Sequence, residues 1–249
     1  MRILITSDDG FMREGIRTLE KSLLSHGHEV FLVAPHSEQS AKSDAFTVSG
    51  SVTMWRHDDH HYSLEGTPTD CIIYILRSGI LKKKPDLVIS GINHGYNLSS
   101  DIIYSGTCSA ASESVMQGIP SIALSAEMDE DGHYCFSQAA DYVSSNLEKL
   151  KDYATGVEAF LNLNFPPRWN GKVEKASLGV LKYEDEFIVK ENGNRIVMSP
   201  SCSGRVVLEK TMDDELEADM VVTGRGSASL TLVNLHPGYD SRRMKEIRL

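Results

Sequence analysis

Apolar residues along the chain fall into short continuous runs that alternate with stretches of helical spacing. Ile3-Leu4-Ile5 reads as a buried strand, followed by Ser7-Asp8-Asp9 and bounded by a turn at Gly10. Ile16, Leu19 and Leu23 then recur at helical spacing until Gly27 stops the pattern. Val30-Phe31-Leu32-Val33-Ala34 is a second apolar strand, ended by Pro35. Strand, helix, strand is the opening of a parallel sheet with crossover helices. A polar loop, His36 to Asp44, leaves the second strand. A β-rich excursion follows, with strands expected at Phe46–Val48, Ser51–Trp55 and Tyr62–Leu64. Gly66-Thr67-Pro68-Thr69-Asp70 opens a helix, with Thr67 suited to the N-cap and Pro68 to the first helical position. Cys71 to Leu76 are apolar around most of the circumference, so this helix should be buried up to Gly79.

Pro85 to Ser90 is the next strand. It runs through Gly91-Ile92-Asn93-His94-Gly95-Tyr96-Asn97 to Ser105-Gly106-Thr107, and a helix is predicted from Cys108 to Gln117. Pro120–Ser125 predicts a strand, Phe136–Leu150 a helix and Ala159–Phe165 a strand. Beyond residue 170 the pattern turns β-rich. Strands are expected at Lys172–Tyr183, Phe187–Val189, Arg195–Met198, Val221–Thr223 and Ser229–Val233. Asn192-Gly193 signals a hairpin, Asp213–Asp219 a local helix or turn, and Arg242–Arg248 a basic tail. The chain therefore divides into an α/β part, residues 1–170, and a β-rich extension, 171–249. The extension has no obvious core and should pack on the main domain or on a second subunit. No internal repeat, low-complexity segment or flexible linker appears.

A composition of 41% hydrophobic and 24% charged residues is ordinary for a globular protein. The net charge of −10 argues against a nucleic-acid polymer or an anionic membrane as main partner, since both call for a basic footprint. A small phosphorylated substrate stays compatible if a metal inverts the local field. Cys71, Cys108, Cys135 and Cys202 are scattered, which fits a reducing compartment and neither a zinc site nor a disulfide framework. No signal peptide or apolar run of transmembrane length is read, so the expected location is cytoplasmic.

In an open α/β sheet, ligands sit outside the carboxyl ends of the strands. Asp8 and Asp9 would stand at that lip, where hard oxygen ligands favour Mg²⁺ or Mn²⁺, although Asp-Asp-Gly is also an ordinary turn. Asn93, just past a strand end, can offer an amide oxygen. The Ser105-Gly106-Thr107 helix entrance offers free backbone N–H groups to an anion. Asn93 and Asn97 equally suit left-handed turn positions, and Ser105 a plain N-cap. His94 is the candidate general base, or else a surface loop residue. Arg56-His57-Asp58-Asp59-His60-His61 reads either as a metal cluster or as a solvated tip between two strands. Neither a Walker A motif nor Gly-x-Gly-x-x-Gly follows the first strand.

Three carboxyl-end loops carry matched chemistry, and together they resemble the SurE survival-protein family of metal-dependent nucleotidases. The matching motifs begin with Ser7-Asp8-Asp9-Gly10, Val33-Ala34-Pro35 with Gln39-Ser40, and Gly66-Thr67-Pro68-Thr69-Asp70-Cys71. They continue with Pro85 to Asn93, Gly95, Asn97, Tyr104-Ser105-Gly106-Thr107, Ala110-Ala111, Glu113 and Gly118-Ile119-Pro120. The match covers roughly the first half of the chain in order, and is weak in the last third, mainly around Asp219 to Thr231. The resemblance implies a Rossmann-like three-layer α/β sandwich with a mostly parallel sheet. It implies one divalent cation, Mg²⁺ or Mn²⁺, on Asp8, Asp9, Ser40 and Asn93, and phosphate contacts from Asn97, Ser105, Gly106 and Thr107. It also implies hydrolysis of nucleoside 5′- or 3′-monophosphates, polyphosphate in some members, and dimers or tetramers that exchange C-terminal hairpins. Ser7 stands where many members have Asn, Ala41 where Gly is usual and Cys108 where Val is common. Gly226 to Leu232 blurs a further family segment.

The expected chemistry is phosphomonoester hydrolysis with Asp8 or Asp9 as general base and charge on the phosphoryl oxygens met by Asn97 and the helix entrance. The alternatives are a receiver-like Mg²⁺-binding module and a non-catalytic nucleotide-binding α/β protein. A receiver would need an Asp at a later strand end and a Lys at another, and neither Ile89-Ser90-Gly91 nor Ala123-Leu124-Ser125 supplies them.

Overall fold

The computed structural model describes residues 1–184, 186–200 and 205–235. The two opening apolar runs form β1 (Arg2–Thr6) and β2 (Glu29–Pro35), joined by α1 (Glu14–Ser25). A short hairpin, β3 (Met54–Arg56) and β4 (His61–Leu64), leads to α2 (Pro68–Arg77). Next come β5 (Leu87–His94), a 3₁₀ turn (Ser99–Ile103), α3 (Gly106–Met116) and β6 (Ser121–Ala126). Then follow α4 (Phe136–Ser145), α5 (Leu147–Ala154) and β7 (Ala159–Phe165). The β-rich part supplies β8 (Val173–Lys175), β9 (Gly179–Glu184), β10 (Phe187–Asn192), β11 (Arg195–Pro200), β12 (Arg205–Thr211), α6 (Asp219–Gly224) and β13 (Ala228–Asn234).

The main sheet has the order β3-β4-β2-β1-β5-β6-β7-β13-β8. From β4 to β7 every neighbouring pair is parallel, while β3 and β13 pair antiparallel with β4 and β7. Strand alternation sorts the core into two layers. Ile3, Ile5, Val30, Leu32, Leu87 and Ile89 pack under α1, α4 and α5, while Leu4, Phe31, Val33 and Val88 face α2 and α3. This is the expected three-layer sandwich. Its order reverses at β1, with β2 on one side and β5 on the other, so the crevice of the topological switch point opens beyond Thr6 and Ser90. The Thr67–Asp70 capping box fixes the start of α2 nearby, each side chain satisfying the other's backbone N–H.

Several elements depart from the sequence pattern. Phe46–Val48 is not a strand: Thr47 gives its N–H and hydroxyl to the Asp70 carboxylate (2.7 and 3.1 Å), so a helix-cap residue takes the place of a ladder. Of Ser51–Trp55, only the end joins β3. The helix expected to Leu150 breaks at Asn146, whose side chain donates to Tyr142 O (2.8 Å), and resumes as α5. Lys172–Tyr183 splits into β8 and β9. Val221–Thr223 lies in α6, where Ala218, Asp219, Val222 and Thr223 are buried and Val221 is exposed, a helical spacing that overrides β-propensity. Asn93 lies within β5, whose pairing with β6 resumes after an irregularity between Ser90 and Asn93. Asn192-Gly193 turns the β10–β11 hairpin as expected. Cys202 and Arg242–Arg248 lie outside the described residues. No helix among the described residues is long and apolar enough to cross a membrane.

Candidate active site

At the end of β1, Asp8 and Asp9 are both buried. Asp8 is tied to α3 through the Thr107 hydroxyl, which donates to Asp8 Oδ1. Its carbonyl accepts the Gln39 N–H at 2.8 Å, which draws in the loop after β2. Asp9 Oδ2 accepts both the backbone N–H and Nδ1 of His94 (3.0 and 2.8 Å), and the imidazole meets Tyr134 and Phe136 edge to face. The candidate base His94 is thus oriented through Nδ1 by an aspartate, and it lines the same cleft as Asp8.

In the loop after β2, the Ser40 hydroxyl donates to Glu38 (2.9 Å). Ala41 has φ of 56°, the left-handed region that favours glycine, the residue the resemblance leads one to expect there. Asn93 gives its amide N–H to Gly95 O (2.9 Å), leaving its oxygen for another partner. Ser105 caps α3, its hydroxyl accepting the Cys108 N–H at 3.1 Å. Gly106 has no room for a side chain: a Cβ there would sit 2.9 Å from Asp8 Cβ. Glycine lets the helix entrance close onto the carboxylate.

Asp8, Ser40, Asn93, Asn97 and Ser105 line one open cleft of about 420 Å³. Asp9, Gly106 and Thr107 are not on its surface; they stand behind Asp8 and His94. Four further lining residues carried no predicted role: Asp101, Tyr104, Tyr183 and Ala41. Tyr104 is 63% and Tyr183 47% exposed, and the Tyr183 hydroxyl donates to Asp101. Tyr104 was visible next to Ser105 in the motif; nothing in the sequence pattern points to Tyr183, which arrives on β9.

Burial pushes the Asp8 carboxyl up to about 6, against the lowering effect of the Thr107 hydroxyl and with added repulsion from Asp9. No lysine or arginine lines the cleft among the described residues. A desolvated carboxylate with a second one beside it, an amide oxygen and a hydroxyl form an all-oxygen donor set without a cationic side chain. That chemistry fits a hard divalent cation. A separate acidic group, Asp129, Asp131 and His133, lies on the loop after β6. Its Asp129 carboxylate already accepts the N–H groups of Asp131 and His133 (3.0 and 2.8 Å). The His57–His61 tip is not merely solvated: His57 stacks on Phe11 (4.4 Å), and His61 bridges Glu20 of α1 and Asp58.

Fold and crevice define a class, the three-layer α/β proteins with an oxygen-lined acidic site at the switch point beside a helix N-terminus. Within it, the chain belongs to the SurE family: the profile described as Survival protein SurE matches residues 3–185. The chain is 41% identical over 239 residues to a protein of Erythrobacter litoralis named 5′-nucleotidase SurE, covering 94% of each. It is 39% identical over 194 residues to one of the same name from Desulfitobacterium hafniense, covering 75% of this chain and 74% of that one. The crystal structure of the SurE protein from Aquifex aeolicus superimposes with a TM-score of 0.81 at 29% identity, covering 99% of this chain and 98% of that one.

Proposed function

We propose that this protein is a 5′-nucleotidase, a divalent-metal-dependent phosphoric monoester hydrolase that releases inorganic phosphate from nucleoside monophosphates. The observation that carries the reading is the convergence of Asp8, Ser40 and Asn93, with Asp9 beside them, and a capped helix entrance on a cleft that no lysine or arginine lines among the described residues. The relatives named 5′-nucleotidase SurE support it. Asp8, Asp9, Ser40 and Asn93 would hold one Mg²⁺ or Mn²⁺, which when bound supplies Lewis-acid stabilisation of phosphoryl charge.

The chain's own groups do the rest. Ser105, on the cleft wall, with Gly106 and Thr107 behind it, would set the positive end of α3 toward the phosphoryl oxygens. Asn97 adds an amide donor. Asp8, on the cleft wall where Asp9 is not, would take the proton of the attacking water. The exposed rings of Tyr104 and Tyr183 offer flat faces to the nucleoside end. The reading extends to 3′-monophosphates and short polyphosphate, which present the same terminal phosphoryl group.

Residues 171–249 would serve assembly into a homodimer or homotetramer. The β10–β11 hairpin supports this by exposing Phe187, Ile188, Val189, Ile196, Val197 and Met198 together. A cytoplasmic setting suits three buried free cysteines. The test is phosphate release over a panel of 5′- and 3′-monophosphates and polyphosphate. Release abolished by EDTA and restored by Mn²⁺ or Mg²⁺ is expected; release indifferent to EDTA, or none from any monophosphate, overturns the reading.

A further inference from the structure

Asn162 and Asn164 stand on β7, every residue of which is buried. Two positions apart, they share one face of the strand, and both are completely inaccessible. A parallel strand covered on both faces is ordinarily apolar, and a buried amide is costly unless its donors and acceptor are met. Here the two amides converge on a single residue of the cleft. The Asn97 carbonyl accepts from Asn162 Nδ2 (2.8 Å) and from Asn164 Nδ2 (3.1 Å). Asn164 Oδ1 accepts the Asn97 N–H at 2.8 Å. Ser125 of β6, also inaccessible and the register partner of Asn164, accepts one hydrogen of the Asn97 side-chain amide at 2.9 Å.

The backbone N–H, carbonyl and side chain of Asn97 are therefore all fixed from behind, and its second amide hydrogen is left for an incoming oxygen. Asn162 also reaches the first turn of α3, its Oδ1 accepting weakly from Cys108 Sγ at 3.9 Å. Two residues on, Ser99 sits in the left-handed region with its N–H given to the buried Asp219 of α6 at 2.7 Å. The segment 97–99 is clamped at both ends, by side chains from 28 to 120 residues away in sequence.

We propose that Asn162, Asn164 and Ser125 are positioning residues that hold the Asn97 amide against the α3 entrance as one preorganised phosphate grip. This rests on the phosphatase reading above. A donor aimed in advance costs no reorganisation when charge develops on the phosphoryl oxygens, and one free to swing loses that advantage. The candidate cation ligands are held by other partners, namely Thr107, His94, Glu38 and Gly95. Phosphate affinity and cation affinity should therefore separate.

The experiment uses the full-length protein and two probes: inorganic phosphate, measured both as a competitive inhibitor and by calorimetry with Mn²⁺ present, and Mn²⁺ alone. Asn164→Leu is expected to weaken phosphate binding about tenfold, equal to about 1.4 kcal/mol. Ser125→Ala, which removes one oxygen, should weaken it about threefold and keeps the test decisive should Asn164→Leu fail to fold. Mn²⁺ affinity should stay within about twofold in each, as four untouched ligands require. Unchanged phosphate affinity in Ser125→Ala, or equal losses of phosphate and Mn²⁺ affinity, overturns the inference while active wild type leaves the phosphatase reading standing. Wild type that neither releases nor binds phosphate overturns both.

Discussion

A single methyl group at Gly106 tests the juxtaposition on which the site depends. Its Cβ would lie 2.9 Å from Asp8 Cβ, 3.2 Å from Asp8 Oδ2 and 3.1 Å from Pro68 Cγ. The first contact is about half an ångström inside ordinary van der Waals separation, and it falls near the backbone of Asp8 rather than at a flexible tip. Either α3 or the end of β1 must shift. Overpacking of this kind costs about 1–3 kcal/mol, which for a chain of this size lowers Tm by about 2–10 °C. The larger effect should be catalytic, since displacing a reacting group by about 1 Å can cost about 100-fold. We expect kcat/KM for phosphate release from a nucleoside monophosphate to fall about 10- to 100-fold in Gly106→Ala. Adding Pro68→Ala relieves only the 3.1 Å contact, so the double variant should stay impaired. Wild-type kcat/KM in Gly106→Ala, or its recovery on adding Pro68→Ala, would refute the argument that Asp8 and the helix entrance form one unit.

Three further outcomes follow from the charges and rings around the site. In the cation-free protein, the Asp8 carboxyl at about 6 holds its proton more tightly than in the unfolded chain, so stability falls as pH rises from about 4 to about 6. Asp8→Asn should remove that fall, raising the cation-free Tm at pH 7 by an amount equal to at most about 3 kcal/mol, while abolishing both turnover and the Tm gain on adding Mn²⁺; a lower cation-free Tm would contradict it. At the hairpin tip, desolvation opposes the charge on His61, but the hydrogen bonds to Glu20 and Asp58 outweigh it and its pKa is raised. That stabilisation is complete below the ordinary histidine value of 6.5 and is lost as pH rises through the folded value, so thermal melts between pH 6 and 9 should be flatter in His61→Gln. Tyr104→Ala should lower the preference for a nucleoside monophosphate over glycerol phosphate about tenfold, the scale of one lost ring stack; an unchanged ratio would remove Tyr104 from the nucleoside end.

What could be seen in the sequence is what folds locally. Asp8 and Asp9 follow an apolar run by two residues, and Ser105 precedes a helix it caps, so strand ends, turns and caps locate them without knowledge of distant contacts. Asn162 and Asn164 were absorbed into a strand because β7 is buried on both faces and shows no alternation that would set two amides apart. Their partner, Asn97, is 65 and 67 residues away and meets them only through the order of β5, β6 and β7. Tyr183 and Asp219 reach the cleft loop in the same way, across the 3₁₀ turn. The Phe46–Val48 and Val221–Thr223 misreadings share a cause: the local pattern is β-like, and a buried aspartate elsewhere, Asp70 in one case, or the packing around α6 in the other, decides the conformation.

The order β7-β13-β8 also bears on how the chain is made. β13 fills the outer edge of β7, yet it begins 63 residues after β7 ends. At a ribosomal rate of about 5–20 residues per second this interval lasts about 3–13 s. Throughout it, a finished parallel sheet presents an open row of backbone donors and acceptors, the arrangement most prone to pairing with another chain. Leu161 and Leu163, buried in the mature sheet, belong to that edge strand. The nascent chain thus passes through a stage in which the parallel core of the sheet is present but its flank is unsealed and the cleft still lacks Tyr183 and the Asp219 clamp. A chaperone or a sister chain that binds there does so before the last strand arrives.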